Sequence, residues 1–187
     1  DDLNISFSDT QLILTLYFTF LAFGQILSGP FSDKYGRKPI LLLGATIYCV
    51  SAFLASLSSN IEILLILRCF QGFGAAACLS VGRTIISDCF DISEAAKQMS
   101  KMTAIMAIIP ITCFIFGGLL ADFWGWRTNL IALGIISLTL IFFMILMLKE
   151  TLINKAKSIS FYNMFLVYKG LIQNNSFNFF TITTAMQ

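Results

Sequence analysis

The amino-acid sequence predicts an all-α protein that crosses a membrane several times. Of its 187 residues, 57% are hydrophobic and 12% are charged, and the mean hydropathy is +0.84. A soluble globular domain is about one-quarter charged, so this composition is not that of a water-soluble domain. The apolar residues are gathered into runs of about 20, which is the length that an α-helix needs to cross the hydrocarbon core.

Five of these runs are long enough to be spanning helices. They are Thr10–Phe31, Pro39–Ser58, Glu62–Arg83, Met102–Ala121 and Thr128–Leu148. A sixth run begins near Phe177. We therefore expect a transmembrane bundle over residues 1–152, a cytoplasmic amphipathic connector over 153–176 and the start of a further spanning helix over 177–187. The polar, acidic start without an initiator methionine indicates an internal piece of a larger membrane protein.

The positions of lysine and arginine predict how these helices are oriented. Basic residues near the ends of spans favour the cytoplasmic side. Outside the spans, most of them fall in alternate connecting segments: the charged stretch 29–39, Asp88–Lys101 with Arg83 at its edge, and Lys149–Ser176. The other connecting segments hold Arg127 alone. We therefore expect these three basic segments on the cytoplasmic side.

Local sequence signals mark where helices begin. Both "SDTQ" and "SNIE" have the spacing of a capping box, in which Ser8 and Ser59 would bond to backbone amides. The stretch "DISE", which starts at Asp91, predicts a short cytoplasmic helix before the span at Met102. Pro39 falls in the first turn of the second span, where a helix tolerates proline.

Small residues at four-residue spacing predict close packing between the spans. The pairs are Gly24 with Ser28, Gly72 with Ala76, and Gly74 with Cys78. Such side chains allow helix backbones to approach one another. The pattern indicates a packed bundle instead of a set of independent anchors.

The stretch "GPFSDKYGRKP", residues 29–39, concentrates charge between two apolar runs. Asp33 and Arg37 are close enough in sequence to pair, and Gly36 permits a turn with positive φ. Arg37 and Lys38 stand at the start of a helix, where the helix dipole disfavours cations by about 0.3–1 kcal/mol. A solvated ion pair in a tight cytoplasmic turn is one interpretation, and a functional charge group is the other.

A second unusual charge is Arg68, which falls inside the third apolar run. An arginine within a span is costly unless it is paired or reaches water, so it is a candidate functional residue. Gln71 is three residues away and shares one helix face with Arg68. The alternative is that Arg68 extends to the outer membrane interface.

Composition argues against several other classes of function. The chain has no histidine, which is the commonest metal ligand and general base. Its five cysteines form no C-x-x-C pair and fall mostly in apolar runs, so we expect buried small side chains and no metal site. A net charge of +2 with scattered basic residues gives no nucleic-acid-binding patch. An enzyme is the least favoured class.

The charged stretch resembles the signature loop of the major facilitator superfamily, approximately G-x-x-x-D-x-x-G-R-[KR], between the second and third helices of that fold. The pattern is filled by Gly29, Asp33, Gly36, Arg37 and Lys38. Lys34 replaces a more usual arginine. The resemblance implies the N-terminal helix bundle of this superfamily, with the family's first helix and C-terminal half as partners absent from this chain.

Two further stretches support this resemblance. "LRCFQGFGAAA" is similar to the family's fourth-helix motif R-x-x-Q-G-x-G, which implies that Arg68 and Gln71 line the central cavity and act in substrate binding or proton coupling. "GRTIISD" ends the same span. Its acid, Asp88, is implied to join Asp33 and Arg37 in a network that latches the two halves on the cytoplasmic side.

The fourth apolar run resembles the fifth-helix motif of drug:proton antiporters. Gly117 and Gly118 match its end, whereas Cys113 and Phe114 depart from its small residue and proline. Pro110 is expected to bend the helix instead. The stretches "GWR" and "LKET" resemble the sixth helix of the same group. Taken together, nearly the whole chain is most similar to the bicyclomycin-resistance (Bcr/CflA) drug exporters, from their second helix to the start of the seventh.

The resemblance implies efflux of small amphipathic compounds across the bacterial inner membrane, driven by the proton motive force without a cofactor. Candidate cavity residues on the first span are Tyr17, Phe20 and Gln25, although each of them could equally serve in packing. A metabolite or sugar transporter of the same fold is an alternative. A truncated remnant without transport activity is another.

Overall fold

The computed structural model describes residues 7–152, together with residues 166, 169, 170, 173 and 179. Residues 7–152 form five helices: α1 (Phe7–Tyr35), α2 (Arg37–Ser56), α3 (Ile61–Cys89), α4 (Ile92–Trp124) and α5 (Trp126–Met147). Each of the five has the length and apolar composition needed to cross a membrane. The prediction of an all-α, multi-pass membrane protein is confirmed.

The chain divides into two compact units, residues 1–155 and 156–187. In the second unit, the five individually described residues are helical. The predicted connector over 153–176 and the predicted further span over 177–187 otherwise lie outside the described residues.

Within the first unit, α3 is the central helix. Both α1 and α2 pack extensively against α3, and α5 packs against the side of α2. At the end where α3 and α5 begin, Ala55, Leu64 and Leu130 form a buried apolar cluster. α4 contacts α5 and α3 more lightly, and Ala95 is its one buried residue.

Glycines bring α1 and α2 close to α3. A Cβ added to Gly74 of α3 would lie 2.6 Å from the carbonyl oxygen of Gly44 in α2. A Cβ added to Gly72 would collide with the carbonyl oxygen of Tyr17 in α1. These approaches are closer than any larger residue allows, so the predicted role of small residues in packing is confirmed at these positions.

The charged stretch is more helical than its sequence suggested. Residues 29–35 belong to α1, and Gly36 alone separates α1 from α2. Gly36 has φ +112°, which confirms the expected turn with positive φ, and Pro39 falls in the first turn of α2 as predicted. The helices extend beyond the predicted span ends at Phe31 and Pro39, because one left-handed glycine is enough to end one helix and begin the next.

Three other boundary predictions were wrong. α4 is continuous from Ile92, so no separate short helix precedes Met102; the intervening residues contain no glycine or proline, and a change from polar to apolar side chains does not break a backbone. Asn60, not Ser59, caps α3, because the Asn60 side chain accepts from the Glu62 amide at 3.0 Å. Ser8 lies inside α1, not at its cap.

Substitutions of α3 glycines test the packing against α2. Gly74→Ala should lower the thermal stability of the protein expressed from the complete gene, because its methyl group would overlap the α2 backbone at a cost of about 1–3 kcal/mol. Thermal stability in detergent, followed by size-exclusion chromatography, measures the effect.

Gly82→Ala is the matched control, since a Cβ at Gly82 of α3 would meet nothing within 4 Å. Alanine is the better helix former, so this control should leave stability unchanged or raise it. Equal losses for both variants would contradict the packing role of Gly74.

Candidate functional site

A group of polar side chains surrounds the start of α2, and we call Ser32, Asp33, Arg37 and Asp88 the Arg37 cluster. Arg37 Nη1 donates to Asp33 Oδ1 at 2.5 Å and to Ser32 Oγ at 2.6 Å. Its Nε donates to Asp88 Oδ2 at 3.0 Å. One guanidinium therefore joins the end of α1 to the end of α3, and the structure brings together the three predicted charges.

Burial gives these contacts unequal weight. The Arg37 side chain is 9% exposed, whereas those of Asp88 and Asp33 are 26% and 53% exposed. Removing the partner of a buried cation strongly destabilises the folded protein. An ion pair with a largely exposed partner contributes less than about 1 kcal/mol to the free energy of unfolding. Asp88 is therefore the stronger partner, and Asp33 contributes less to stability.

Glu150 is a member of this region that the sequence did not indicate as a site residue. Its Oε1 accepts from the Arg37 amide at 2.8 Å, and its Oε2 accepts from the Lys38 amide at 3.2 Å. The amides of Thr151 and Leu152 also donate to Oε1, each at 3.1 Å. The "LKET" stretch that contains Glu150 carries only a family resemblance in the sequence, because a bond to a main-chain amide depends on no particular partner residue.

The electrostatics of Glu150 favour its charged form. Burial opposes ionisation of the carboxyl, but the amide donors, first that of Leu152 and then those of Arg37, Lys38 and Thr151, lower its pKa below the ordinary value. Because this pKa is lowered, the ionised carboxylate contributes fully to the stability of the fold at neutral pH. That contribution is lost only as the pH falls through the lowered pKa.

The other residues of the signature stretch have different surroundings. Lys38 Nζ donates to the carbonyl oxygen of Ile145 at 3.0 Å, close to the end of α5. The Gly29 carbonyl accepts from Ser32 Oγ at 2.8 Å, and a Cβ at Gly29 would meet nothing within 4 Å. Thr151 Oγ1 donates to Asp88 Oδ2 at 3.4 Å, so Asp88 also contacts the segment after α5.

A second group lies where α3 meets α1 and α2, and we call Tyr17, Tyr48, Arg68 and Gln71 the Arg68 cluster. Arg68 Nη1 donates to Gln71 Oε1 at 3.1 Å, as the shared helix face predicts. Tyr17 of α1 lies against Gly72, and Tyr48 of α2 lies against Gly74, on the same helix as Arg68. The predicted residues Tyr17, Arg68 and Gln71 are brought together, and Tyr48 is one that the sequence did not indicate.

This cluster has unused hydrogen-bond donors. Gln71 is completely buried, yet its Nε2 has no partner among the described residues, and the same is true of the buried Arg68 Nε. Buried polar groups are almost always hydrogen-bonded. An acceptor beyond the described residues, such as a carboxylate, a carbonyl oxygen or a water molecule, would complete their hydrogen bonds.

Two other predicted cavity residues have surroundings that differ from those of Arg68, and their cavity role stays a prediction. Gln25 is exposed, and its described bond is made by its carbonyl oxygen, which accepts from Ser28 Oγ at 3.1 Å. Phe20 lines an apolar pocket of about 450 Å³ with Ile66 and other residues of α2 and α3. Ile66 is about 200° around the helix from Arg68, so this pocket opens on a different face of α3.

The predicted helix-bend residues all lie within a continuous α4. Pro110 is exposed, and a Cβ at Gly118 would meet nothing within 4 Å. The Gly117 carbonyl accepts from Asn129 Nδ2 of α5 at 3.0 Å. A bend at Pro110 stays a prediction. Among the described residues, no three acidic or cysteine side chains converge into a metal-binding group.

Comparison with known proteins identifies the family. Residues 1–183 match the Major Facilitator Superfamily. The chain is 39% identical over 153 residues to an uncharacterized MFS-type transporter, YdgK, of Bacillus subtilis, covering 81% of this chain and 38% of that protein. It is 32% identical over 147 residues to a bicyclomycin resistance protein homolog of Haemophilus influenzae, covering 77% of this chain and 37% of the relative.

A third relative is the multidrug resistance protein MdtL of Vibrio parahaemolyticus, which is 32% identical over 154 residues, with 81% of this chain and 38% of that protein covered. The chain thus spans about 38% of the length of the curated relatives that it matches. These relatives are named as transporters or resistance proteins, not as enzymes. The match over residues 1–183 and the five apolar helices lead to one conclusion: this chain belongs to the Major Facilitator Superfamily.

Proposed function

We propose that this chain is part of a proton-coupled exporter of small amphipathic compounds in the bacterial inner membrane. The observation that carries the proposal is the Arg68 cluster, which places a charged group and a buried amide with free donors inside apolar helices. The names of the relatives, a bicyclomycin resistance protein homolog and a multidrug resistance protein, support drug-like substrates. The rest of the transporter, including a further N-terminal helix and a second half, would come from outside this chain.

The Arg68 cluster would bind the acceptor that its free donors require. Arg68 supplies a guanidinium, which is always protonated in proteins, and Tyr17 and Tyr48 pack against the same helix at Gly72 and Gly74. A substrate carbonyl, or a carboxylate that gains and loses a proton, fits this chemistry. Secondary transporters place such sites near the bilayer midplane, between halves that rock against each other.

The Arg37 cluster would act as a cytoplasmic latch. Its guanidinium holds the ends of α1 and α3 together, and the partly exposed Asp33 and Asp88 keep carboxylate oxygens available at the surface. In this proposal, the cluster contacts the second half of the transporter when the cavity is closed on the cytoplasmic side, and its separation accompanies inward opening.

Drug-susceptibility tests of a transporter-deficient bacterium that expresses the complete gene examine the function. Arg68→Ala should reduce the resistance conferred by the gene and slow efflux by about tenfold or more, since hydrogen bonds to a charged group contribute about 1.5–3 kcal/mol. Arg68→Lys should recover only part of the activity, because an ammonium group cannot reproduce the fixed fork of the guanidinium.

The exposed Arg83 on the same helix provides the control, since Arg83→Gln removes an equal charge away from the Arg68 cluster. This variant should keep wild-type resistance. Absence of resistance to any agent from the wild-type gene would refute export, and uptake of a metabolite or sugar in the same cells would indicate the alternative transporter. A gene that encodes no further helices on either side of this chain would indicate a remnant.

The latch is tested by removing its two acids separately. Asp33→Asn should slow transport while the protein remains in the membrane at the wild-type amount. Asp88→Asn should slow transport and also lower thermal stability by about 1–3 kcal/mol, because it leaves the buried Arg37 without its better-shielded partner.

Asp91→Asn is the control for this test, since Asp91 caps α4 without a side-chain hydrogen bond and asparagine caps a helix equally well. Its transport and stability should match the wild type. The latch would be rejected by wild-type transport rates in both the Asp33 and the Asp88 variants.

A further inference from the structure

A charged side chain at the start of α2 and another just after α5 each bond to the backbone of the other helix. The amides of Arg37 and Lys38 belong to the first turn of α2, where no acceptor within the helix is available. Glu150, just beyond α5, accepts from both amides at 2.8 and 3.2 Å. In the opposite direction, Lys38 Nζ donates to the Ile145 carbonyl in the last turn of α5, at 3.0 Å. Each helix end thus supplies the cap of the other.

The signs of the two charges suit the poles that they contact. A helix carries partial positive charge at its N-terminus and partial negative charge at its C-terminus. The Glu150 carboxylate lies at the N-terminus of α2, and the Lys38 ammonium reaches the C-terminus of α5. A lysine at the N-terminus of α2 is unfavourable by itself. The ammonium group of Lys38, however, lies at the C-terminus of α5, where a positive charge is favourable.

The absence of a side chain at Gly36 allows Glu150 to reach the start of α2. A Cβ added to Gly36 would lie 2.5 Å from Glu150 Oε2, in addition to the strain imposed by φ +112°. The same glycine ends α1, so the approach of Glu150 and the break between α1 and α2 share one residue.

We propose that Lys38 and Glu150 form a reciprocal cap between α2 and α5, and that Glu150 is a positioning residue for the Arg37 cluster. Glu150 holds the backbone of Arg37, and the side chain of the same residue donates to Asp88 at 3.0 Å. Fixing the amide fixes the point from which the guanidinium reaches Asp88. The importance of this positioning for transport rests on the latch proposed above, whereas the cap itself does not.

Hydrogen–deuterium exchange of the purified protein from the complete gene tests the cap directly. Glu150→Gln keeps one acceptor oxygen but removes the charge, and Glu150→Ala removes both. The amides of Arg37 and Lys38 should exchange about tenfold faster in the alanine variant and to an intermediate degree in the glutamine variant. Lys38→Met should raise exchange in the last turn of α5.

Lys149→Met is the matched control, because Lys149 is the exposed neighbour of Glu150. It should leave exchange at both helix ends unchanged. Wild-type exchange of the Arg37 and Lys38 amides in Glu150→Ala would overturn the reciprocal cap.

A double-mutant cycle tests the positioning role. If Glu150 holds Arg37 for Asp88, the loss of thermal stability in the double variant Glu150→Gln with Asp88→Asn should be smaller than the sum of the single losses. Additive losses would overturn the positioning role. Neither measurement depends on transport, so a failure of the cap and a failure of the proposed exporter can be told apart.

Discussion

The buried guanidinium of Arg37 is the constraint around which the ends of α1, α3 and α5 and the start of α2 are arranged. A cation that is only 7% exposed must be paired, and no single helix supplies enough acceptors. Ser32 and Asp33 come from α1 and Asp88 from α3, while Glu150 from beyond α5 holds the main chain of the same residue. The end of α1, the end of α3 and the segment after α5 therefore meet at one residue of α2, and the last two are 51 and 113 residues away in sequence.

The central helix α3 connects this cluster to the second one. Arg68 lies in its first half and Asp88 at its end, so both groups belong to one rigid element. Its glycines allow α1 and α2 to approach so closely that the backbones nearly touch at Gly72 and Gly74. Close packing of this kind transmits displacements instead of absorbing them. A displacement of α3 at one cluster would therefore be passed to the helices that pack against it.

Much of the fold could be predicted from the sequence because lipid imposes a simple rule. Each apolar run must satisfy its backbone within a helix, so the five runs gave five helices with their approximate limits. Asp33 and Arg37 were predictable because residues four apart share a helix face. Asp88 was identified through a family motif, and its contact with Arg37 could not be derived from spacing alone.

The rest could not be predicted because its signals are absent from local sequence. Glu150 and Lys38 bond to main-chain groups more than a hundred residues away, and every residue offers the same amide and carbonyl. The cavity role of Gln25 stays a prediction: its side chain is exposed on α1, and a mostly apolar helix does not reveal which of its faces lines a cavity. α4 begins earlier than the sequence predicts, because a change from polar to apolar side chains marks the membrane surface and does not end the helix.

The unbroken course of α4 has a mechanical consequence. Its 33 residues make a rod of about 50 Å, against a hydrocarbon layer of about 30 Å. The polar first turns of α4 are continuous with its apolar part. A force on the polar end that extends beyond the lipid would therefore tilt the apolar part as well. Pro110, the sole proline of α4, lacks the amide proton that would complete the hydrogen-bond ladder, so the rod is most easily flexed there.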